Sequence, residues 1–232
     1  MSPRPRRSAQ IPHLQTAIQE TAWAQIAEFG AAALSLRAVA RALHITAPAI
    51  YNYFPSRDDL VTALIVDAFS SLADSQQAAL NRLSGASPQE QLIALGMDYR
   101  QWALRYPQRY QLIFGTPIPH YHAPEDVTNP AASRALLSLM QVIQRLYTIQ
   151  NSPRPHLAPL TPALEAMLSA WQSAGVPLER EVIYLALVIW SRVHGLVQLE
   201  IGRQFPPHIT DAGEIFQREI RSMLIQYSFN GE

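Results

Sequence analysis

Residues 43–54 read LHITAPAIYNYF, a stretch with no Asp, Glu, Lys or Arg in it. A short helix facing only water is more cheaply built from Glu, Lys or Gln, which keep rotamer freedom and hydrate well. Ile50 and Phe54, four apart, fall on one helical face, and Ala47, Pro48, Tyr51, Asn52 and Tyr53 fall outside it. The outward residues are of types that make contacts. Upstream, Ser35 is placed to cap a short helix through about Leu43, striped with Leu36, Val39, Ala40 and Leu43. Ala40 is small where two helices must cross, Leu43 and Ile45 flank a turn, and Thr46 is placed to cap the second helix with Pro48 in its first turn. The pattern is helix, tight turn, helix, the unit that sets a second helix into a DNA major groove. Tyrosine hydroxyls and the amides capped at Thr46 suit phosphate oxygens, while Ala, Pro and Asn suit thymine methyls or base edges. The alternative is an ordinary helical hairpin whose tyrosines pack on neighbours.

The flanks read as helix on both sides. Pro12 suits a first helical position, Leu14, Ile18, Ala22, Ile26 and Phe29 follow at helical spacing, and Gly30 stops the helix. Ser56 with Asp59 caps a long helix running to near Ser84-Gly85, and Ser87-Pro88-Gln89-Glu90 opens another to Tyr106. Pro107 starts a short helix ending at Gly115, followed by a proline-rich loop over 116–130. Further helices are expected from Asn129-Pro130 to about Gln150 and, after a second proline-rich loop over 151–160, from Thr161-Pro162 to Gly175. Two more run from Pro177 to about Ile201 and from Asp211-Ala212-Gly213-Glu214 to about 228. No strand pattern competes. The fold class is all-α: an N-terminal three-helix DNA-binding domain over 1–57, its first ten residues a flexible arm, and a larger helical domain over 58–232.

Composition narrows the function. With 48% hydrophobic and 16% charged residues in 232, the chain has the means to bury a full core. An apolar run such as 184–190 is far short of a bilayer. No apolar segment follows the basic start MSPRPRRSAQ, so a secretory signal is not expected and the reading is cytoplasmic. Cysteine is absent, which removes disulfides, thiol nucleophiles and cysteine-bound zinc. The zero net charge hides an asymmetry: residues 1–57 hold six Arg against two Glu, a net +4, and residues 58–232 hold twelve Arg against sixteen acids, a net −4. A basic head on an acidic body fits a polyanion partner for the head alone.

Residues 34–64, LSLRAVARALHITAPAIYNYFPSRDDLVTAL, resemble the DNA-binding region of TetR-type transcriptional regulators. The resemblance is carried by Ser35, Val39-Ala40, Leu43, Ile45-Thr46, Ile50-Tyr51, the aromatic at 53, Phe54 and the Ser-Arg-Asp-Asp-Leu that follows, and it extends over about 10–65. It implies that Tyr51 and Arg57 hold backbone phosphates, that Ala47, Pro48, Asn52 and Tyr53 face the groove, and that Arg37 reaches a base or phosphate. His44 stands where that family usually has Gly, a left-handed position that His tolerates at some cost. Arg4, Arg6 and Arg7 suit an arm on the minor groove or backbone, or a plain disordered tail.

The same resemblance implies a C-terminal domain that binds a small molecule and pairs with a second copy through its last two long helices, 177–201 and 211–228. A dimer sets two recognition helices about one DNA turn apart, so a palindromic operator in double-stranded DNA follows. The stretch 99–117 with Trp190-Ser191-Arg192-Val193-His194-Gly195 is similar to a TetR subgroup marked by Trp, His and Gly late in the chain. Tyr99, Trp102, Tyr106, Tyr110, Phe114, Met140, Trp171, Trp190 and His194 are candidates to line an apolar pocket, with core packing as the alternative. His194 sits on a buried stripe and needs a partner, and Gly195 beside it would permit close helix contact. His120 and His122, near Glu125 and Asp126, have i, i+2 spacing without a second anchoring pair, so no metal or other cofactor is expected. No activated nucleophile or phosphate-binding glycine loop appears, which argues against an enzyme. The expected function is a ligand-released repressor; an activator, or a helical ligand-binding protein without specific DNA recognition, are the alternatives.

Overall fold

The computed structural model describes residues 13–148, 157–173 and 175–229. Among them are ten α-helices and no strand: α1 (Leu14–Phe29), α2 (Leu36–Ala42), α3 (Ala47–Tyr51), α4 (Arg57–Arg82), α5 (Pro88–Arg105), α6 (Pro107–Phe114), α7 (Glu125–Tyr147), α8 (Pro162–Ser173), α9 (Arg180–Ile201) and α10 (Gly213–Gln226). The chain is all-α, as its periodicity predicts. Packing forms two units, one holding the described residues up to Ser71 with Tyr106–Ala132, the other Leu72–Arg105 with Ser133 onward. The first half of α4, α6 and the start of α7 therefore pack with the N-terminal helices. Pro12 and the arginines at 4, 6 and 7 lie outside the described residues.

In the first unit the apolar positions of each helix meet in one core. Ile18 and Ala22 of α1, Val39 of α2, Ile50 of α3 and Leu60, Val61, Leu64 and Ala68 of α4 are fully buried, with Phe54 nearly so. Ser35 caps α2 as expected, its Oγ accepting from the Ala38 amide at 3.4 Å. His44 then takes the left-handed conformation, φ 54°. It ends α2 by letting the His44 amide reach the Arg41 carbonyl at 3.1 Å and the Ile45 amide reach the Ala40 carbonyl at 3.0 Å, the way a left-handed residue closes a helix. Thr46 occupies the cap position of α3, but its hydroxyl makes no cap bond. The cap predicted there is thus positional only, and the helix is held by its buried residues.

Arg57 is the main tie of this unit. A turn of 3-10 helix over Ala31–Ala33 presents its carbonyls toward α4, and the guanidinium collects three from this link: Leu34 O at 3.1 Å, Ala31 O at 3.1 Å and Ala32 O at 3.2 Å. Its remaining Nη1 lies 3.4 Å from Asp58 Oδ1. A second tie joins α1, α4 and α6. Trp23 Nε1 donates to Asp67 Oδ2 at 2.7 Å, and Arg109 Nη1 pairs with the same oxygen at 2.8 Å. The Arg109 guanidinium also lies 4.9 Å from the Trp23 ring centroid, within reach of a cation–π attraction.

The second unit is built on α5, α9 and α10. Arg100 grips Glu200 with two bonds, at 2.7 Å and 2.6 Å, and reaches Asp211 Oδ1 at 3.2 Å, a charge-assisted fork. That same Asp211 oxygen accepts from the Gly213 amide at 2.7 Å. One carboxylate thus serves both the ion pair and the start of α10, where negative charge is favoured. The close-contact glycine is Gly96 rather than Gly195. A β-carbon on Gly96 would lie 2.4 Å from Ile220 Cδ1, whereas Gly195 is exposed with nothing within 4 Å of such a carbon. The reciprocal cap at Ser87 and Glu90 forms as its spacing predicts, with the Ser87 amide on Glu90 Oε2 at 2.9 Å and the Glu90 amide on Ser87 Oγ at 3.3 Å.

Two helix starts differ from the sequence reading. Helix α7 begins at Glu125, not at Asn129-Pro130. Two acids favour its first turn, and the Pro124 carbonyl accepts from the amides of Val127 and Thr128 and from Thr128 Oγ1. Pro130 thus lies inside the helix, where the carbonyl it leaves without a donor belongs to an exposed turn. Helix α9 begins at Arg180, not Pro177, because Leu178 closes a tight turn onto the Val176 carbonyl and Glu179 is extended. As a whole α9 is long and apolar enough to cross a membrane, although its longest apolar run is short. Its apolarity is met by packing: seven of its side chains are buried, among them Val182, Leu185, Ile189 and Val197.

Replacing Arg57 with Ala is expected to destabilise the protein by about 1.5–3 kcal/mol, since charge-assisted bonds to three carbonyls are lost together. Arg57→Lys should recover part of that loss. Urea unfolding of the two variants checks it, and a midpoint unchanged in Arg57→Ala would show the clamp to be energetically idle.

Candidate DNA-contacting face and interior cavity

The residues expected at DNA come from α2, α3 and the turn after α3. Burial of Ile50 and Phe54 fixes the rotation of the segment, and by helical geometry the intervening side chains are driven outward. Tyr51 is 42% exposed and Tyr53 45%, unusual fractions for aromatic side chains on so short an element. Thr46, Pro48 and Asn52 are exposed and Ala47 is half-buried. Arg37 is exposed on α2, which packs against α3. Arg57 stands apart from this group. Its guanidinium is turned to the carbonyls of residues 31, 32 and 34, so its first role is to hold the unit together. Sequence reasoning missed that role because the three acceptors lie 23 to 26 residues away and are backbone atoms.

The nine residues expected at a ligand pocket are distributed over both units. Tyr106, Tyr110 and Phe114 belong to the first unit, where Tyr110 is fully buried and Phe114 meets Phe69 edge-on at 5.8 Å. Trp102 and Met140 are buried in the second unit and do not line its apolar cavity, and Trp171 on α8 is exposed. Three remain associated. Tyr99 and Trp190 line a small cavity of about 30 Å³ among α4, α5, α7, α9 and α10. His194 lies beside them, its Nδ1 2.8 Å from the Tyr99 hydroxyl and its ring centroid 5.0 Å from that of Trp190. The other walls are Leu92, Leu95, Leu139, Ile189, Ile220 and Met223, with Gln76 as the one carboxamide. Helical spacing does not single out these apolar residues as cavity walls, and nothing in the sequence separates Gln76 from Gln77, the other glutamine of α4. His120 and His122 are exposed, and no group of three or more metal-ligating side chains exists among the described residues.

Burial holds the His194 imidazole below its ordinary value of 6.5, so it is neutral in the folded protein at pH 7. The unfolded chain takes up a proton near 6.5 while the folded chain does so only at lower pH. This residue's contribution to stability is therefore complete above about 6.5 and is lost as pH falls through the lower folded value. A plot of unfolding free energy between pH 7.5 and 5 should fall more steeply for the native chain than for His194→Gln; equal slopes would remove His194 from the pH response.

Comparison with known proteins agrees with this architecture. Residues 18–64 match the family model described as bacterial regulatory proteins, tetR family, and residues 92–223 match the one described as tetracyclin repressor-like, C-terminal domain. The HTH-type transcriptional regulator Rv1816 of Mycobacterium tuberculosis is 34% identical over 221 residues, which make up 94% of this chain and 94% of that protein. The crystal structure of a regulatory protein, SCO4313, superposes with a TM-score of 0.74 at 37% identity, covering 96% of this chain and 99% of that one. The TetR family regulator PfmR of Thermus thermophilus shares the fold at 18% identity, with a TM-score of 0.57 and coverage of 90% of this chain and 97% of that one. With a buried two-helix scaffold that turns Tyr51 and Tyr53 outward, and with both family regions present in order, the chain belongs to the TetR family of DNA-binding transcriptional regulators.

Proposed function

We propose that the protein is a homodimeric, cytoplasmic repressor that binds a palindromic operator and releases it when a small molecule occupies the second unit. The observation that carries this is the exposure of Tyr51, Asn52 and Tyr53 above the buried Ile50 and Phe54. DNA contact is assigned to residues up to 57: Arg37, Thr46, Ala47, Pro48, Tyr51, Asn52 and Tyr53, with Arg57 acting through the position of the head. Tyrosine and Asn are suited to phosphate oxygens and base edges, and Arg37 adds the charge that makes binding salt-sensitive. Dimerisation is assigned to the last two long helices. Gly195 and Leu199 on α9 are both exposed, and their spacing of four puts them on one face. Helix α10 exposes Ile215 and Ile225, the latter at 66%, apolar surface of the kind that marks an interface. Release requires that the ligand bind the DNA-free conformation more tightly than the bound one, by at least the shift in operator affinity it produces.

Selection of bound sequences from random duplexes at two salt concentrations should enrich one palindrome, with binding that weakens as salt rises; sequence-blind binding would sink the operator reading. Tyr51→Ala and Tyr53→Ala should each weaken the selected operator by about tenfold or more, with unfolding midpoints unchanged. In a reporter strain, loss of the protein should raise transcription from that operator, and a fall would make it an activator.

Light scattering on a sizing column should give twice the 25.9 kDa chain mass for the native protein and a single chain mass for the double variant Leu199→Arg, Ile225→Arg. A variant that stays dimeric would move the interface elsewhere.

A further inference from the structure

Among the described residues of the second unit, four side-chain oxygens are sealed from solvent without a hydrogen-bond partner: Oε1 of Gln76, Gln91 and Gln198, and Oδ2 of Asp98. Gln91 is otherwise engaged, its Nε2 donating to the Leu83 carbonyl at 2.8 Å, and Asp98 has Arg82 at 4.0 Å. Gln76 differs in its surroundings. Only 6% exposed, it projects from α4 into the apolar cavity, where the neighbouring side chains are Leu92, Leu95, Leu139, Ile189, Val193 and Met223. None of these can donate a hydrogen bond. Of the two donors on the same wall, the Tyr99 hydroxyl is paired with His194, and the Trp190 indole N–H makes no bond to Gln76 Oε1. A buried amide oxygen without a donor leaves its desolvation uncompensated, so this position calls for a donor from outside the chain.

We propose that this cavity receives a small, uncharged, mainly hydrocarbon molecule bearing one hydrogen-bond donor, a hydroxyl or ring N–H, which donates to Gln76 Oε1. This rests on the reading that the effector enters the second unit, and it names the chemical class of that effector. Charge is excluded by the walls. None of the lining side chains is ionic, and an ionised ligand would lose its hydration with no counter-charge to replace it. A pure hydrocarbon is disfavoured for the opposite reason, since it leaves the Gln76 oxygen dry and unpaired.

Size adds a condition. The cavity of about 30 Å³ holds a water molecule and falls far below the volume a drug-sized ligand fills, so the ligand enters by moving a wall. The movable wall is Ile220 of α10, which drops into the notch left by the missing side chain of Gly96, with Phe216 beyond it at 3.7 Å from the same point. A molecule on Gln76 presses on Ile220 and Met223 of α10 and on Trp190 of α9, the two helices whose outer faces are assigned above to the dimer. That gives the ligand a direct route to the pairing of the two copies.

The test uses the full-length protein, with calorimetry and tryptophan fluorescence, and matched probes: phenol and indole as neutral donors, toluene and benzothiophene as donor-free counterparts, and benzoate as the anion. Phenol and indole should bind saturably and at least tenfold more tightly than toluene and benzothiophene, and benzoate should not bind. In Gln76→Leu the preference of phenol over toluene should vanish. Ile220→Ala, which enlarges the cavity while keeping the carboxamide, should tighten phenol and toluene together and preserve the preference, so the assignment stays testable if Gln76→Leu does not fold. Absence of saturable binding by phenol and indole, benzoate binding as tightly as phenol, or an intact preference in Gln76→Leu would each overturn the proposal. Operator release is read separately, by anisotropy of a labelled duplex. Binding without release would leave the cavity assignment standing and remove the ligand-release reading, whereas release by other compounds with no phenol or indole binding would do the reverse.

Discussion

One left-handed residue sets the geometry of the face proposed to contact DNA. His44 ends α2 by adopting φ 54°, and the two bonds made there, onto the Arg41 and Ala40 carbonyls, fix where the chain leaves the helix. From there Thr46 enters α3 in extended conformation, Ile50 and Phe54 drop into the core, and Tyr51 and Tyr53 are left outside. A five-residue helix has too few internal bonds to hold its own shape in water. Its conformation is inherited from the turn before it and the core beneath it.

The polar ties of the first unit serve the same end. Arg57 donates to three carbonyls around the 3-10 turn, of which that of Ala31 also takes the Leu34 amide at 3.3 Å. It thereby anchors the link between α1 and α2 to the start of α4. Asp67 accepts from both Trp23 and Arg109, binding α1 and α6 to the middle of the same helix. In each case a charged group is shared among several neutral or opposite partners, the arrangement in which partial burial of charge is tolerable. The second unit repeats the device with Arg100, Glu200 and Asp211, and adds a polar group in its apolar interior, Gln76, whose oxygen the chain itself does not satisfy.

That contrast separates polarity closed within the core from polarity left open. Tyr99 and His194 complete one another at 2.8 Å, and burial keeps the imidazole neutral, so their bond behaves as part of the core. Gln76 has no such closure. Another wall of the same cavity is a side chain resting on a glycine, Ile220 over Gly96, and shifting it takes a change of packing without breaking any hydrogen bond.

Taken alone, the sequence determined the all-α class, the order of the helices and the outward face of residues 47–53. These follow from the 3.6-residue period, from caps such as Ser35 and Ser87, and from the tolerance of His for a left-handed turn, all of them local properties. It also carried enough of the family's pattern over 34–64 for the resemblance to be drawn there. The starts of α7 and α9 were less legible, because proline marks a permitted first position without fixing one: Pro130 lies inside its helix and Pro177 before its own. Tertiary structure decided which unit each aromatic joins. Tyr106, Tyr110 and Phe114 fall in one unit and Tyr99 and Trp190 in the other, a sorting that helical spacing, identical for both groups, cannot express. It likewise decided that Arg57 grips backbone 23 or more residues away, that Gly96 rather than Gly195 admits a neighbouring side chain, and that the Gln76 oxygen lacks a partner. Each of these depends on distances between atoms far apart in the chain, and such distances exist only once the helices have packed.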